Sequence, residues 1–155
     1  MSTSSVTRST LNPESVAIAL GSNLGDRVYN LRRAVDELRR VVSIVRVSTV
    51  HDTEPVDAPP GSPRFLNMVV VGHTRLTPEA LLEALLAIEA RLGRVRRGRN
   101  APRTIDLDLI LHSANVRRSG ALTLPHPRYR QRDFVMKPLR ELRMPWVDPT
   151  TAIPL

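Results

Sequence analysis

Two carboxylates separated by a single residue follow a loop rich in arginine. Residues 93–112 read GRVRRGRNAPRTIDLDLILH, and five arginines precede the pair Asp106 and Asp108. Apolar residues at 105, 107, 109 and 111 alternate with Thr104, Asp106 and Asp108, which predicts a strand over 104–112. Successive side chains of a strand point to opposite faces, so the apolar residues, Leu111 included, should enter a core. Both aspartates should share the other, wet face, about 7 Å apart.

This pair of aspartates suits a hard cation. Two like charges at that spacing repel each other unless a cation lies between them. Magnesium prefers oxygen ligands and usually takes one or two carboxylates together with substrate phosphates. Arginine binds phosphate through paired hydrogen bonds. The arginines that could supply them are Arg94, Arg96, Arg97, Arg99 and Arg103. The segment predicts a magnesium–polyphosphate site, and the alternative is a solvated strand face beside a charged loop.

The composition is that of one globular domain with an anionic partner. The chain has 155 residues, of which 41% are hydrophobic, and its formal net charge is +8. It has no cysteine, which excludes disulfides, thiolate metal sites and cysteine nucleophiles. No apolar run is long enough to cross a membrane. We expect a cytoplasmic protein, and the absence of cysteine is compatible with a reducing cytosol. Residues 1–14 lack the apolar stretch of a secretory signal and are predicted to form a disordered tail before a domain over 15–155.

The elements that must position the aspartate strand follow the order β-α-β-β-α-β. Helical spacing of apolar residues predicts a helix that begins after Asn23 or Asp26, and a second that begins at Thr77 and stops at Gly93. The strands are predicted at 15–20, 44–53, 65–74 and 104–112, followed by a hairpin over 117–124 and a short helix over 133–142. This order predicts a ferredoxin-like α+β fold, an antiparallel sheet with two helices on one face.

The predicted fold does not by itself select a function. An RNA-binding domain would stack bases on aromatic side chains of its sheet, but the chain has only two Phe, two Tyr and one Trp. Such a domain would bind RNA in a salt-dependent way that does not need Asp106. A metal-dependent nuclease would use the aspartate pair, but no further acidic cluster lies near that strand. Both classes remain alternatives to a phosphotransferase at this point.

Four motifs resemble the 6-hydroxymethyl-7,8-dihydropterin pyrophosphokinase family. They are ALGSNLG at 19–25, FLN at 65–67, the run at 93–109 with PRTIDLD, and the run at 124–134 that begins LPH. They occur in the family's order and span roughly residues 15–145 of the sequence. The resemblance implies a folate-pathway enzyme that moves pyrophosphate from ATP to a pterin alcohol and releases AMP.

The resemblance also implies roles for individual residues. Asp106 and Asp108 would hold two magnesium ions that bridge the triphosphate. Arg94 and Arg103 would join them in catalysis, with Arg103 following charge in the transition state. The implied ATP-binding positions are Arg94, Arg96, Arg103, Leu109, Thr123, His126 and Arg132. The implied pterin-binding positions are Thr53, Pro55, Val56, Phe65, Asn67 and Phe134.

The residue types at the pterin positions suit a flat heteroaromatic ring. Such a ring can be enclosed by two aromatic faces, and Phe65 and Phe134 are the two phenylalanines of the chain. An amide can donate and accept hydrogen bonds at the edge of the ring. Asn67 has no local use in a valine-rich strand, which indicates a bound partner or a buried network. We expect ATP and the pterin as partners, a monomer, and no nucleic acid or membrane.

Overall fold

The computed structural model describes residues 9–55, 57–94 and 103–155. These ranges contain seven strands, three α-helices and one short 3₁₀ helix. In chain order they are β1 (Ser9–Ser22), α1 (Arg27–Leu38), β2 (Ser43–Val47), β3 (His51–Thr53), β4 (Phe65–Leu76), α2 (Pro78–Arg91), β5 (Asp106–His112), β6 (Arg117–Arg118), β7 (Thr123–Leu124), the 3₁₀ helix (Tyr129–Gln131) and α3 (Asp133–Glu141).

The main sheet is antiparallel throughout. Its strand order is β2-β4-β1-β5, and β3 also pairs with β4. The central strand β1 lies between β4 and β5. The strands β6 and β7 form a separate hairpin, as the sequence predicts for residues 117–124. The predicted α+β class with an antiparallel sheet is therefore confirmed.

Helices cover both faces of this sheet. On one face, α1 and α2 bury a core that includes Ile18, Leu31 and Leu85. On the other face, α3 packs Met136 and Leu139 against β1 and β4. The sequence predicts only that two helices share one face. Because α3 covers part of the second face, the surface that was predicted to be exposed to solvent lies in a partly enclosed cavity.

Both long helices begin at the residues that the sequence indicates. The side chain of Asp26 accepts a hydrogen bond from the backbone N–H of Tyr29, and Thr77 does the same for Ala80. These bonds satisfy donors that a helix start leaves without partners. No helix within the described ranges combines the length and the apolar character needed to cross a membrane.

Two predicted strand boundaries are wrong. β1 begins at Ser9, so residues 9–14 lie in a strand rather than in a disordered tail. The strand predicted over 44–53 is two strands, β2 and β3. The hydroxyl of Ser48 accepts a hydrogen bond from the backbone N–H of Val69, where a backbone carbonyl would accept it in a regular ladder. The pairing with β4 is therefore interrupted between β2 and β3. Residues 1–8 lie outside the described ranges, and the single domain over 15–155 stays a prediction.

The aspartate strand β5 changes faces part-way along. Ile18 pairs with Leu109 and Ala17 pairs with Leu111, so Ile110 is an extra residue that forms a β-bulge. Leu109 joins the core under α1 and α2, whereas Leu111 packs under α3. The alternation predicted for the whole strand is therefore wrong at Leu111. The two aspartates precede the bulge and keep their shared face.

Candidate active site

One cavity of about 330 Å³ opens beside the aspartates of β5. Strands β1, β4 and β5 form its floor, and the loop after β3 and the segment before α3 form its walls. Most of the predicted site residues meet here. Those that line the cavity are Thr53, Pro55, Phe65, Asn67, Arg103, Asp106, Asp108, Arg132 and Phe134.

Asp106 is held by two arginines. Its Oδ1 lies 2.5 Å from Nη1 of Arg94, and its Oδ2 accepts from Nη1 of Arg103 at 2.9 Å. Arg94 does not line the cavity, because its side chain is only 11% exposed behind Asp106. Arg103 therefore lies at the cavity surface, whereas Arg94 holds the carboxylate of Asp106 from behind.

A buried glutamate fixes Arg94 from the helix side. Oε2 of Glu89 accepts from Nη1 of Arg94 at 2.9 Å and from the backbone N–H of Leu107 at 2.8 Å. Glu89 is 4% exposed and lies on the buried face of α2 beside Ile88. Glu89 is not among the predicted site residues. The sequence feature that points to Glu89 is an acidic side chain on an otherwise apolar helix face, just before the arginine loop.

Asp108 has a different environment. No hydrogen bond or salt bridge to its carboxylate is present among the residues that the structure describes. Burial, followed by the negative charges of Asp106 and Glu89, raises the pKa of Asp108 to about 7, although Arg132 and Arg94 oppose the shift. A cation beside this carboxylate would favour its charged form.

The donor set fits a hard divalent cation. Asp106 and Asp108 present carboxylate oxygens from one strand to one cavity. Within the described ranges there is no cluster of three or more metal-ligating side chains. Magnesium needs no such cluster, because one or two carboxylates suffice when water and substrate phosphates complete its octahedron.

The other half of the cavity is aromatic and amide-lined. Nδ2 of Asn67 donates to Oγ1 of Thr53 at 2.5 Å across the paired strands β3 and β4. A Cβ added to Gly21 would lie 2.9 Å from Oδ1 of Asn67 and 3.4 Å from the ring of Phe65. In the sequence, Gly21 stands out only as part of the motif ALGSNLG. Its missing side chain leaves room for the amide and the ring.

The aromatic and charged halves meet through two arginines. The guanidinium of Arg103 lies 5.6 Å from the ring centre of Phe65, and that of Arg132 lies 5.5 Å from the ring centre of Phe134. Each contact is within the range of a cation–π interaction. Both phenylalanines are therefore adjacent to a group that could bind phosphate.

Several predicted ATP-binding residues do not line this cavity. Leu109 is buried in the core under α1 and α2, so its side chain does not reach it. Thr123 is exposed on β7, outside the cavity wall. Arg96 and, among the pterin positions, Val56 lie outside the described ranges.

His126 lies near the cavity without lining it. Its backbone N–H donates to the carbonyl of Ile110 at the β-bulge. Burial, followed by the positive charge of Arg132, lowers the pKa of His126 to about 4. The imidazole is therefore neutral at neutral pH, and it can both donate and accept a hydrogen bond.

Two side chains from the turn before α3 are among the cavity-lining residues that were not predicted. Arg128 and Gln131 lie in the turn that precedes Arg132. The signal for Arg128 is that it belongs to the second concentration of arginines in the chain, at 128–132. Gln131 has no comparable signal, because a lone glutamine is common on any surface.

Comparison with known proteins identifies the family. A family model described as 7,8-dihydro-6-hydroxymethylpterin-pyrophosphokinase (HPPK) matches residues 17–144. The chain belongs to this family. The matched residues contain every residue that lines the cavity, so the resemblance seen in the sequence motifs is confirmed, and the cavity belongs to the HPPK domain.

Curated relatives of the HPPK family agree. The 2-amino-4-hydroxy-6-hydroxymethyldihydropteridine pyrophosphokinase of Bacillus subtilis (strain 168) is 44% identical over 127 residues, 81% of this chain and 75% of that protein. The enzyme of the same name from Synechocystis sp. is 38% identical over 137 residues, 87% and 69% of the two chains. The mitochondrial folate synthesis bifunctional protein of Pisum sativum is 42% identical over 140 residues, but this chain spans only 27% of its length.

Solved HPPK structures share the fold. Wild-type Plasmodium falciparum HPPK-DHPS with pterin and p-hydroxybenzoate superposes with a TM-score of 0.62, covering 85% of this chain and 38% of that chain. A variant of the same protein with SDX-DHP gives a TM-score of 0.70 and covers 92% and 44%. The sequence identities are 12% and 11%, so these matches concern the fold alone.

Proposed function

We propose that this cavity transfers pyrophosphate from ATP to 6-hydroxymethyl-7,8-dihydropterin, giving AMP and the pterin diphosphate, in folate biosynthesis. The enzyme is an ATP-dependent diphosphotransferase. The observation that carries the proposal is the union, in one cavity, of the carboxylates of Asp106 and Asp108 with Phe65, Asn67 and Phe134. One half of that cavity suits a polyphosphate, and the other half suits a flat heteroaromatic ring.

The transfer exchanges one phosphorus–oxygen bond for another. The hydroxyl oxygen of the pterin alcohol bonds to the β-phosphorus of ATP, and the bond from that phosphorus to the α,β-bridging oxygen breaks. AMP leaves with the bridging oxygen, and the hydroxyl proton is released to water. Positioning and charge neutralisation dominate the catalysis of such reactions, so the placement of the charged groups is decisive.

The arginines of the cavity would bind the phosphates. Arg103 contacts both Asp106 and the ring of Phe65, so it adjoins the binding sites of both substrates. Arg132 has the same relation to Phe134. We propose that Arg103 stabilises the negative charge that develops in the transition state. Arg94 would hold the carboxylate of Asp106 in place.

Two magnesium ions bound by Asp106 and Asp108 would neutralise the triphosphate and align the attacking and leaving oxygens. The buried carboxylate of Asp108, which no arginine contacts among the described residues, supports a cation at this strand. The pterin would lie between the two phenylalanines, beside Pro55. The hydrogen bond from Asn67 to Thr53 would hold the Asn67 amide in position to form hydrogen bonds with the edge of the pterin ring.

Finer features of the proposal rest on single observations. The strand order β2-β4-β1-β5 supports the ferredoxin-like assignment of the fold. A monomeric state stays a prediction. The proposal includes neither nucleic acid nor membrane as a partner. A cytoplasmic location stays a prediction.

The decisive experiment measures AMP release with and without the pterin alcohol. We expect the wild-type chain to release AMP only when ATP, magnesium and the pterin are all present. Asp108→Asn keeps the shape of the side chain and removes its charge, so we expect a loss of at least about a hundredfold in kcat. Asp36→Asn is the matched control, because Asp36 is 75% exposed on α1.

Two results would overturn the proposal. One is AMP release that does not depend on the pterin, and the other is an Asp108→Asn enzyme that is as active as Asp36→Asn. Salt-dependent RNA binding that survives Asp106→Ala would instead favour the nucleic-acid alternative. Cleavage of nucleic acid that requires Asp106 would favour the nuclease.

A further inference from the structure

The turn between β7 and α3 has two faces. Arg128, Gln131 and Arg132 line the cavity. The two residues between them, Tyr129 and Arg130, contact the C-terminal segment of the chain instead. The 3₁₀ helix at the centre of this turn therefore joins the cavity to residues 146–155.

A buried hydrogen bond forms the main link. Tyr129 and Asp148 are each 3% exposed, and the tyrosine hydroxyl donates to Oδ2 of Asp148 at 2.5 Å. Burial, followed by the hydrogen bond to Asp148, raises the pKa of Tyr129 to about 12. Burial opposes ionisation of Asp148, but hydrogen bonds from Thr150 and Tyr129 outweigh it and lower the pKa of Asp148 to about 2. The hydroxyl stays a donor and the carboxylate an acceptor throughout the neutral range.

Asp148 also organises the segment that carries it. Its Oδ1 accepts from the backbone N–H of Thr150 at 2.8 Å, from the Thr150 hydroxyl at 2.6 Å and from the backbone N–H of Thr151 at 3.2 Å. Its own backbone N–H donates to the carbonyl of Ile153 at 3.0 Å. One carboxylate thus closes the C-terminal loop and binds the turn.

Arg130 makes a second link on the same side. Its Nη2 donates to the carbonyls of Ile153 at 2.5 Å and Pro154 at 3.1 Å. Its Nε lies 3.7 Å from Oδ2 of Asp148, and its guanidinium lies 5.5 Å from the ring centre of Tyr129. The turn is therefore held at two successive residues.

The turn has little local support of its own. The 3₁₀ helix is three residues long, and neither it nor α3 has a side-chain hydrogen bond at its N-cap. Short 3₁₀ segments have poor hydrogen-bond geometry. The placement of the cavity side chains on this turn therefore depends on tertiary contacts.

We propose that residues 146–155 are a positioning segment for the cavity, which fixes Arg128 and Arg132 through the contacts of Tyr129 and Arg130 with Asp148 and Ile153. The segment follows the residues 17–144 that match the family model. The inference rests on the proposed function, because it treats the two cavity arginines as ligands of the nucleotide phosphates.

Tyr129→Phe tests the inference, because it removes only the hydroxyl. We expect the KM for ATP, and the Kd for Mg-ATP measured without the pterin, to rise at least about fivefold, since small misplacements of binding groups are costly. The value of kcat should change less, because contacts made equally before and during transfer affect KM. Asp148→Asn combined with Tyr129→Phe should weaken binding little beyond the larger single effect, since both act on one contact.

Thr74→Val is the matched structural control. It removes a buried hydroxyl that donates to the carbonyl of Val41 at 2.8 Å, near the end of β4 that lies away from the cavity. We expect this variant to lose stability without a change in KM or Kd. The inference is overturned if Tyr129→Phe behaves in the same way.

Arg130→Gln is a second variant that keeps the tyrosine, and it should raise the same two constants. Unchanged constants in this variant would also count against the inference. If the wild-type chain released no AMP, the proposed function would fail. The Kd for Mg-ATP in Tyr129→Phe would still decide whether the segment positions the cavity.

Discussion

At the scale of single residues, the aromatic half of the cavity depends on a side chain that is absent. A methyl group at Gly21 would meet Oδ1 of Asn67 at 2.9 Å and the ring of Phe65 at 3.4 Å. Gly21→Ala must therefore displace the amide or the ring. We expect the KM for the pterin alcohol to rise at least about tenfold, because a displaced amide leaves polar groups of the ligand unpaired.

The control for this prediction is Gly120→Ala, because a Cβ at Gly120 meets no atom within 4 Å. AMP release at varied pterin concentration measures the effect, and the Kd for Mg-ATP should stay constant. A pterin KM that is equal in the two variants would show that Gly21 does not shape this half of the cavity.

The neutral state of His126 makes stability depend on pH. Its pKa is about 4 in the folded chain against 6.5 for the free group. The unfolded state therefore binds more protons than the folded state between these pH values. The contribution of His126 to the free energy of unfolding is fully present above pH 6.5 and is lost as the pH falls toward 4. We expect His126→Gln to flatten this part of the curve of unfolding free energy against pH.

His73→Gln is the comparison for this effect, because His73 is an exposed histidine far along β4. Chemical denaturation at a series of pH values measures both variants. If His126→Gln kept the wild-type slope between pH 4 and pH 6.5, the half-buried neutral imidazole would have no thermodynamic effect.

The residues that could be predicted from the sequence are those whose type is unusual where it stands. Asp106, Asp108 and Asn67 interrupt apolar strands, so each draws attention alone. The contacts that support them could not be predicted. Glu89 reaches Arg94 only because α2 lies across β5, and strand alternation specifies a face without specifying which helix covers it.

At the scale of the elements, β2 and β4 approach so closely that one residue must lack a side chain. A Cβ at Gly72 would lie 2.2 Å from the carbonyl oxygen of Ser43. That oxygen belongs to the backbone and cannot rotate away. We expect Gly72→Ala to lower the free energy of unfolding by about 2 kcal/mol, as overpacking does elsewhere.

Urea denaturation measures this loss, with Gly120→Ala again as the control. The KM values of the Gly72→Ala enzyme should stay close to those of the wild type, because Gly72 does not line the cavity. An unchanged midpoint would mean that β2 can move aside without cost.

The two helix caps could be predicted and the strand irregularities could not. Asp26 and Thr77 bond to residues three positions along the chain, so the local sequence is sufficient. The bulge at Ile110 and the break at Ser48 arise from pairing with other strands. Their causes lie far away in the sequence.

At the scale of the whole molecule, the net charge of +8 acts on ATP and hardly on the pterin. Raising the salt from about 0.01 M to about 0.15 M shortens the Debye length from about 30 Å to about 8 Å. We expect the KM for ATP to rise several-fold over this range and the KM for the uncharged pterin to change little. Equal responses of the two constants would contradict an electrostatic contribution from the cavity arginines.

The double engagement of Asp106 implies an exchange of partners when nucleotide arrives. Arg94 and Arg103 already neutralise this carboxylate, so a divalent cation alone competes with two guanidinium groups for it. A triphosphate would offer another anion to Arg103, which lines the cavity, and would free Oδ2 of Asp106 for the cation. Nucleotide and metal should therefore strengthen each other's affinity by one common factor, as linkage requires, and the empty enzyme should hold either of them weakly.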